Sequence, residues 1–103
     1  MPNLSWSPLA ETDLEEIYAR IAFRDGRRQT AKNVVRGLRQ ECEDYARLFA
    51  KGYVLGTARP DLGESLRVFT HKRWVVVFRP VRDGIEVVRV IDCSRDFGRL
   101  FGG

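Results

Sequence analysis

A chain of 103 residues with 44% apolar and 31% charged side chains is sized and balanced for one domain with its own core, here residues 1–103. Such a balance excludes disorder, and the length excludes reliance on a disulfide or metal for folding. The formal charge of +4 is lopsided: of eighteen basic residues only Lys32, Lys51 and Lys72 are lysine, which leaves fifteen arginines.

Arginine pairs bidentately with carboxylates and phosphates. An acidic partner, protein or nucleic acid, is one reading of this bias; codon usage is the other. Cys42 and Cys93 lack CxxC spacing and follow no signal peptide, which predicts reduced thiols and a cytoplasmic chain. The longest apolar run, Trp74 to Phe78, is strand-sized and far below the roughly 20 residues of a membrane helix, so no membrane partner is expected.

Asn3 to Trp6 reads as a short edge strand. Ser7-Pro8 opens a helix, with Ser as N-cap and Pro at the first helical position. Glu11, Asp13, Glu15 and Glu16 sit near the positive end of its dipole. Leu14, Ile17, Tyr18 and Ile21 make one apolar stripe, and Asp25-Gly26 ends the helix. A longer helix runs from about Arg28 to Ala50, with Ala31, Val34, Val35, Leu38, Cys42, Tyr45 and Phe49 at the period of a buried face. A helical hairpin follows, and a sheet must cover its stripes.

Gly52, Gly56, Pro60 and Gly63 punctuate a loop from Lys51 to Gly63. Ser65–Thr70, Arg73–Arg79 and Ile85–Asp92 read as strands. They are joined by tight turns at Thr70-His71-Lys72 and Asp83-Gly84. Short turns force an antiparallel meander, and the strand holding Trp74 to Phe78, apolar on both faces, belongs at its centre. The predicted fold is α+β: an N-terminal strand and helical hairpin packed on an antiparallel sheet with a three-stranded C-terminal meander. Asp92 to Phe101 is a tail anchored by Phe97, Leu100 and Phe101.

No phosphate loop or dinucleotide fingerprint is present, and His71 is the sole histidine, which argues against a zinc site and against a nucleophilic triad. No cofactor and no metal are expected. His71 is read as a solvated turn residue. Arg28, Lys32, Arg36 and Arg39 recur at helical spacing as a basic ridge, while Glu41, Glu43 and Asp44 come later, so charge runs against the dipole preference. That pattern fits either a solvated face or a binding surface. Arg67, Arg73, Arg79, Arg89 and Arg95 lie on or just after strands. Arg89 shares a parity with Ile85, Val87 and Ile91, so it is either in an ion pair (Asp92, Glu86 and Asp96 being nearby) or in a functional contact. Arg67 carries the same alternatives.

The run SPLAETDLEEIYARIA, with Ala10, Asp13-Leu14 and Ile17-Tyr18, resembles the opening of ParE-type toxins of the RelE/ParE superfamily. SLRVFTHKRWVVVFRPVRDGIEVVRVIDCSRDFGRLF resembles their sheet and C-terminal segment, through Leu66-Arg67, Val76 to Phe78, Val88-Arg89-Val90-Ile91 and Arg95-Asp96. The likeness spans nearly the whole chain. It implies a non-enzymatic toxin of a type II toxin–antitoxin pair, neutralised by a cognate ParD-like antitoxin and directed at DNA gyrase. DNA would be met only indirectly, through the antitoxin. By the same resemblance, the second helix and the tail are candidate target or antitoxin surfaces. The candidates are Arg28, Lys32, Arg36, Arg39, Arg67, Arg73, Arg89, Arg95, Asp96 and Phe97. Many relatives carry His shortly before the Arg-Asp pair, where this chain has Asp92. The rivals are a RelE-like ribosome-dependent messenger-RNA endonuclease, which needs a base and cations, and a non-toxic binding module that joins its antitoxin in operon repression.

Overall fold

The structure, a computed structural model, describes residues 2–93. In chain order it has β1 (Asn3–Trp6), α1 (Pro8–Ala19), a π-helical segment (Arg20–Arg24), α2 (Arg28–Ala50), β2 (Thr57–Ala58), β3 (Arg67–His71), β4 (Trp74–Val81) and β5 (Gly84–Asp92). The sheet order is β1-β5-β4-β3-β2. Its centre is β4, whose residues Trp74 to Phe78 are all buried, as a strand with apolar side chains on both faces requires.

The meander is antiparallel, as the short turns demand, but the sheet as a whole is mixed. β1 lies parallel to β5, in the register Asn3↔Gly84 to Trp6↔Val87. The reason is topological. β3, β4 and β5 alternate in direction, so β5 repeats the direction of β3, and the helices, loop and β2 between β1 and β3 return the chain to the end of the sheet at which β1 began. Gly84 lets the two strands meet, because a Cβ there would collide with the Asn3 backbone. The glycine of the expected Asp83-Gly84 turn is therefore a strand residue. The turn itself is Arg82-Asp83, with Asp83 at φ 61°. The other hairpin turns at Lys72-Arg73 with Lys72 at φ 56°, one residue later than the spacing predicts. The loop after α2 adds a two-residue strand, β2, paired to Val68 and Arg67.

Ser7 caps α1 as expected, its Oγ accepting from the Ala10 N–H at 3.0 Å. The same hydroxyl donates to the Val88 carbonyl at 2.7 Å, so one side chain starts the helix and fixes it to β5. On α2 the buried face is Ala31, Val34, Leu38, Cys42 and Ala46, with Tyr45 and Phe49 packed at its edge. Val35 departs from the predicted stripe and faces outward, beside Arg36 and Arg39.

The hairpin covers Phe69, Trp74, Val76, Phe78, Ile85, Val87 and Val90. Tyr45 stacks on Phe69 with ring centroids 3.9 Å apart and meets Phe78 edge-on at 5.8 Å. Such aromatic contacts add about 0.5–1.5 kcal/mol beyond the burial itself. On the opposite face Leu62 and Leu66, from the loop, pack on Val75, Val77 and Ile91. Ile85 and Val87 thus face the helices while Ile91 faces away. Strict alternation along β5 fails because the pairing passes from Arg89 to Val87 and skips Val88, a β-bulge that resets the parity of the strand.

Candidate partner-binding face

The arginines predicted to matter fall into two populations, and the helices and strands decide which is which. Asp13 lies on the same side of α1 as Ala10 and Ile17 and is buried at 8% exposure. A lone buried carboxylate is costly, and β5 supplies its partner. Arg89 donates from Nε at 2.8 Å and from Nη2 at 3.0 Å to the two carboxylate oxygens. The Val90 N–H donates a third hydrogen bond, at 2.8 Å. Asp13, through its hydrogen bonds to the guanidinium, holds the Arg89 pKa above the ordinary arginine value. The carboxylate that pairs with Arg89 is not one of its near neighbours in sequence but an acid on the buried stripe of a helix, 76 positions away.

Arg67 is also occupied. Its Nε donates to the Leu55 carbonyl at 2.9 Å and its Nη2 to the Gly56 carbonyl at 2.8 Å. The side chain ties the loop that follows α2 to β3. The groove beside it is lined by Ala58, Pro60, Ser65, Leu66 and Pro80, and none of these is a proton acceptor near neutral pH. Arg39 holds the start of the fold together. Its guanidinium lies 5.0 Å from the Trp6 ring centroid and donates to Glu11 at 3.2 Å. Arg73 is exposed, but donates to Asp92 at 3.1 and 2.6 Å and sits over Trp74.

Arg28, Lys32 and Arg36 form the second population. All three are exposed along α2, and among the described residues none is in an ion pair. Arg28 lies over the Phe23 ring at 5.6 Å, and Phe23 meets Tyr18 edge-on at 6.3 Å. Lys32 and Arg36 border an open groove between α1 and α2. The remaining candidates, Arg95, Asp96 and Phe97, lie outside the described residues.

His71 corrects the expectation of a solvated turn residue. It ends β3, with its side chain only 17% exposed, and its Nδ1 meets the Glu41 carboxylate at 2.5 Å. The ring lies against Gly37, where a Cβ would sit 3.2 Å from Nε2. A histidine placed in this way pins the β3–β4 hairpin to α2. Its second nitrogen packs on a helix, not toward a groove. Below it, burial, reinforced by the Glu41 charge, pushes the Cys42 thiol up to about 12. Burial also raises the Tyr45 hydroxyl, again with help from Glu41. Among the described residues there is no cluster of His, Cys, Asp or Glu arranged to hold a metal. None of their helices is long and apolar enough to cross a membrane.

The family described as "ParE toxin of type II toxin-antitoxin system, parDE" matches residues 4–97. A solved structure of the chromosomal ParDE TA system from P. aeruginosa superposes with a TM-score of 0.70 at 21% identity, over 89% of this chain and 96% of that one. At that identity the likeness is one of fold. No curated protein matches the sequence.

Proposed function

Since the chain belongs to the ParE toxin family of type II toxin–antitoxin systems, we propose that it is the toxin of such a pair. In this reading a ParD-like antitoxin holds it neutral in the cytoplasm, and the released toxin binds DNA gyrase directly, without catalytic chemistry of its own. DNA is contacted only through the antitoxin. The surface offered to partners includes Arg28, Lys32 and Arg36, three exposed cations of α2 that are in no ion pair among the described residues.

The state of Arg67 carries the preference for binding over messenger-RNA cleavage. Cleavage needs a cation free to meet the scissile phosphate and a base to activate the 2′-hydroxyl. Arg67 already donates to two loop carbonyls, its groove holds no base, and His71 is spent on Glu41. These observations support a protein that works by occupancy.

Induction of the chain alone is expected to arrest growth, with relief when the adjacent upstream reading frame is co-expressed. The purified protein should block gyrase supercoiling while transcripts on translating ribosomes stay intact. Specific cleavage of ribosome-bound transcripts would replace this reading with the nuclease one. Unimpaired growth would leave a non-toxic module that serves operon repression.

A further inference from the structure

The loop that leaves α2 shows apolar side chains to solvent on a backbone that is held firmly in place. Tyr53 and Val54 are 59% and 68% exposed. A single apolar residue at a surface is ordinary, but these two are consecutive and share one loop tip. In front of the tip, the Gly52 N–H donates to the Phe49 carbonyl at 3.0 Å and the Tyr53 N–H to the Leu48 carbonyl at 3.1 Å, with Gly52 at φ 95°. In this helix termination the residue after the glycine commonly packs back on the last turn; Tyr53 stays largely in solvent. Behind the tip, Arg67 donates to the Leu55 and Gly56 carbonyls at 2.9 and 2.8 Å. A Cβ at Gly56 would meet the Val68 carbonyl at 2.8 Å, so the loop backbone rests directly on β3.

A backbone fixed on both sides loses little further freedom when its side chains are captured, and that is the condition for an anchor contact. Tyrosine is among the residues enriched at such anchors. Side chains exposed at a loop tip need a receiving surface that supplies the walls, which is an apolar pocket. Lys51, next to the tip, is exposed and in no ion pair among the described residues, so an acidic lip on that pocket complements it. Nucleic acid suits the tip less well: valine has no face on which a base can stack, and Lys51 is the only cation from 51 to 56. The tip is also remote from the cations at the start of α2. The helix runs from Arg28 to Ala50, roughly 30 Å at about 1.5 Å per residue, so the two ends are separate surfaces.

From this arrangement we infer that Tyr53 and Val54 are the anchor by which the chain grips its target, seated in an apolar pocket with an acidic lip on DNA gyrase. The inference rests on the gyrase-directed reading above and names contact residues that the reading leaves unassigned. A protein that works by occupancy holds its target through a few pre-organised, desolvated side chains, and this tip has that character. Arg67 then acts as a positioning residue, which presents the tip from behind.

The test uses the full chain with purified gyrase, and the product of the adjacent upstream reading frame as a second probe. Tyr53→Ser with Val54→Ser removes two exposed side chains and keeps the backbone hydrogen bonds of the loop, so the variant retains its fold, read by circular dichroism and melting temperature. The concentration needed to block supercoiling is expected to rise on the order of tenfold or more, with antitoxin affinity unchanged. Tyr53→Phe keeps the ring and should inhibit as the wild type does. Unchanged inhibition by the folded double variant overturns the inference while leaving the gyrase reading in place. Inhibition that survives while antitoxin affinity, self-association or oligonucleotide binding is lost also overturns it, and reassigns the tip to that partner. If the wild-type chain arrests growth without blocking gyrase, the gyrase reading falls and takes the inference with it.

Discussion

The guanidinium of Arg89 and the cations of α2 are chemically alike, yet the fold uses them in opposite ways. Arg89 is enclosed between α1 and β5, with both its hydrogen bonds and its charge consumed by Asp13. Arg28, Lys32 and Arg36 stand in solvent on the far side of the hairpin and, among the described residues, have no carboxylate of their own. What separates them is the element that carries them, and which of its faces the core claims. An arginine count therefore says little about binding until the internal carboxylates and carbonyls have taken their share. Here those acceptors claim Arg39, Arg67, Arg73 and Arg89.

The contrast breaks most sharply at Asp13. Asp13→Ala strands the Arg89 guanidinium and the Val90 N–H, and is expected to lower unfolding stability by about 3 kcal/mol, as for other buried pairs cut on one side. Urea denaturation checks this; a loss under about 1 kcal/mol would mean that the pair is replaceable by water. Arg67→Ala comes next, at about 1–2 kcal/mol for two charge-assisted bonds whose acceptors remain near solvent. Its signature is local: amide exchange should quicken in the loop around Leu55 and Gly56 before the sheet is affected. At the small end, Lys32→Ala with Arg36→Ala should leave stability within about 0.5 kcal/mol of wild type. A larger drop would move these residues into the structural population.

The two cysteines sharpen the same division between inside and outside. Cys42 is buried and Cys93 exposed, so a thiol reagent at neutral pH should modify Cys93 in the native chain and reach Cys42 only after unfolding. The sign of the pH effect follows from the raised Cys42 value. Below 9.0 the thiol is protonated in both states and its contribution is complete. Between 9.0 and about 12 only the unfolded chain releases the proton, so stability falls as pH rises through that window. The stability advantage of wild type over Cys42→Ala should accordingly shrink across it, which denaturation at successive alkaline pH values measures.

Local signals in the sequence placed most of the elements. The Ser7-Pro8 cap, the 3.6-residue period of α2 and the doubly apolar β4 each follow from side chains within one element. The direction of β1 is not a local property. It depends on the path of two helices and on a glycine more than three quarters of the way along the chain. The bulge at Val88 hid in the same way, since a regular alternation of Ile85, Val87, Arg89 and Ile91 gives no hint of an extra residue. The Asp13–Arg89 pair was within reach: an acid at the i+3 position from Ala10 and the i−4 position from Ile17 lies on a stripe that must be buried, and a base on a mostly apolar strand needs such an acid. His71 was missed because a histidine beside a predicted turn gives no sign that Glu41 waits on a helix 30 residues earlier.

The parallel seam between β1 and β5 has a consequence for synthesis. Ser7 and Val88, which share a hydrogen bond, are 81 positions apart, so the first strand leaves the ribosome long before its neighbour is made. During that interval Asn3–Trp6 has no ladder, Asp13 has no arginine, and the apolar stripes of the nascent hairpin have no sheet to rest on. Contacts of such long range close last. These surfaces are completed only once β5 has been made and has paired with β1.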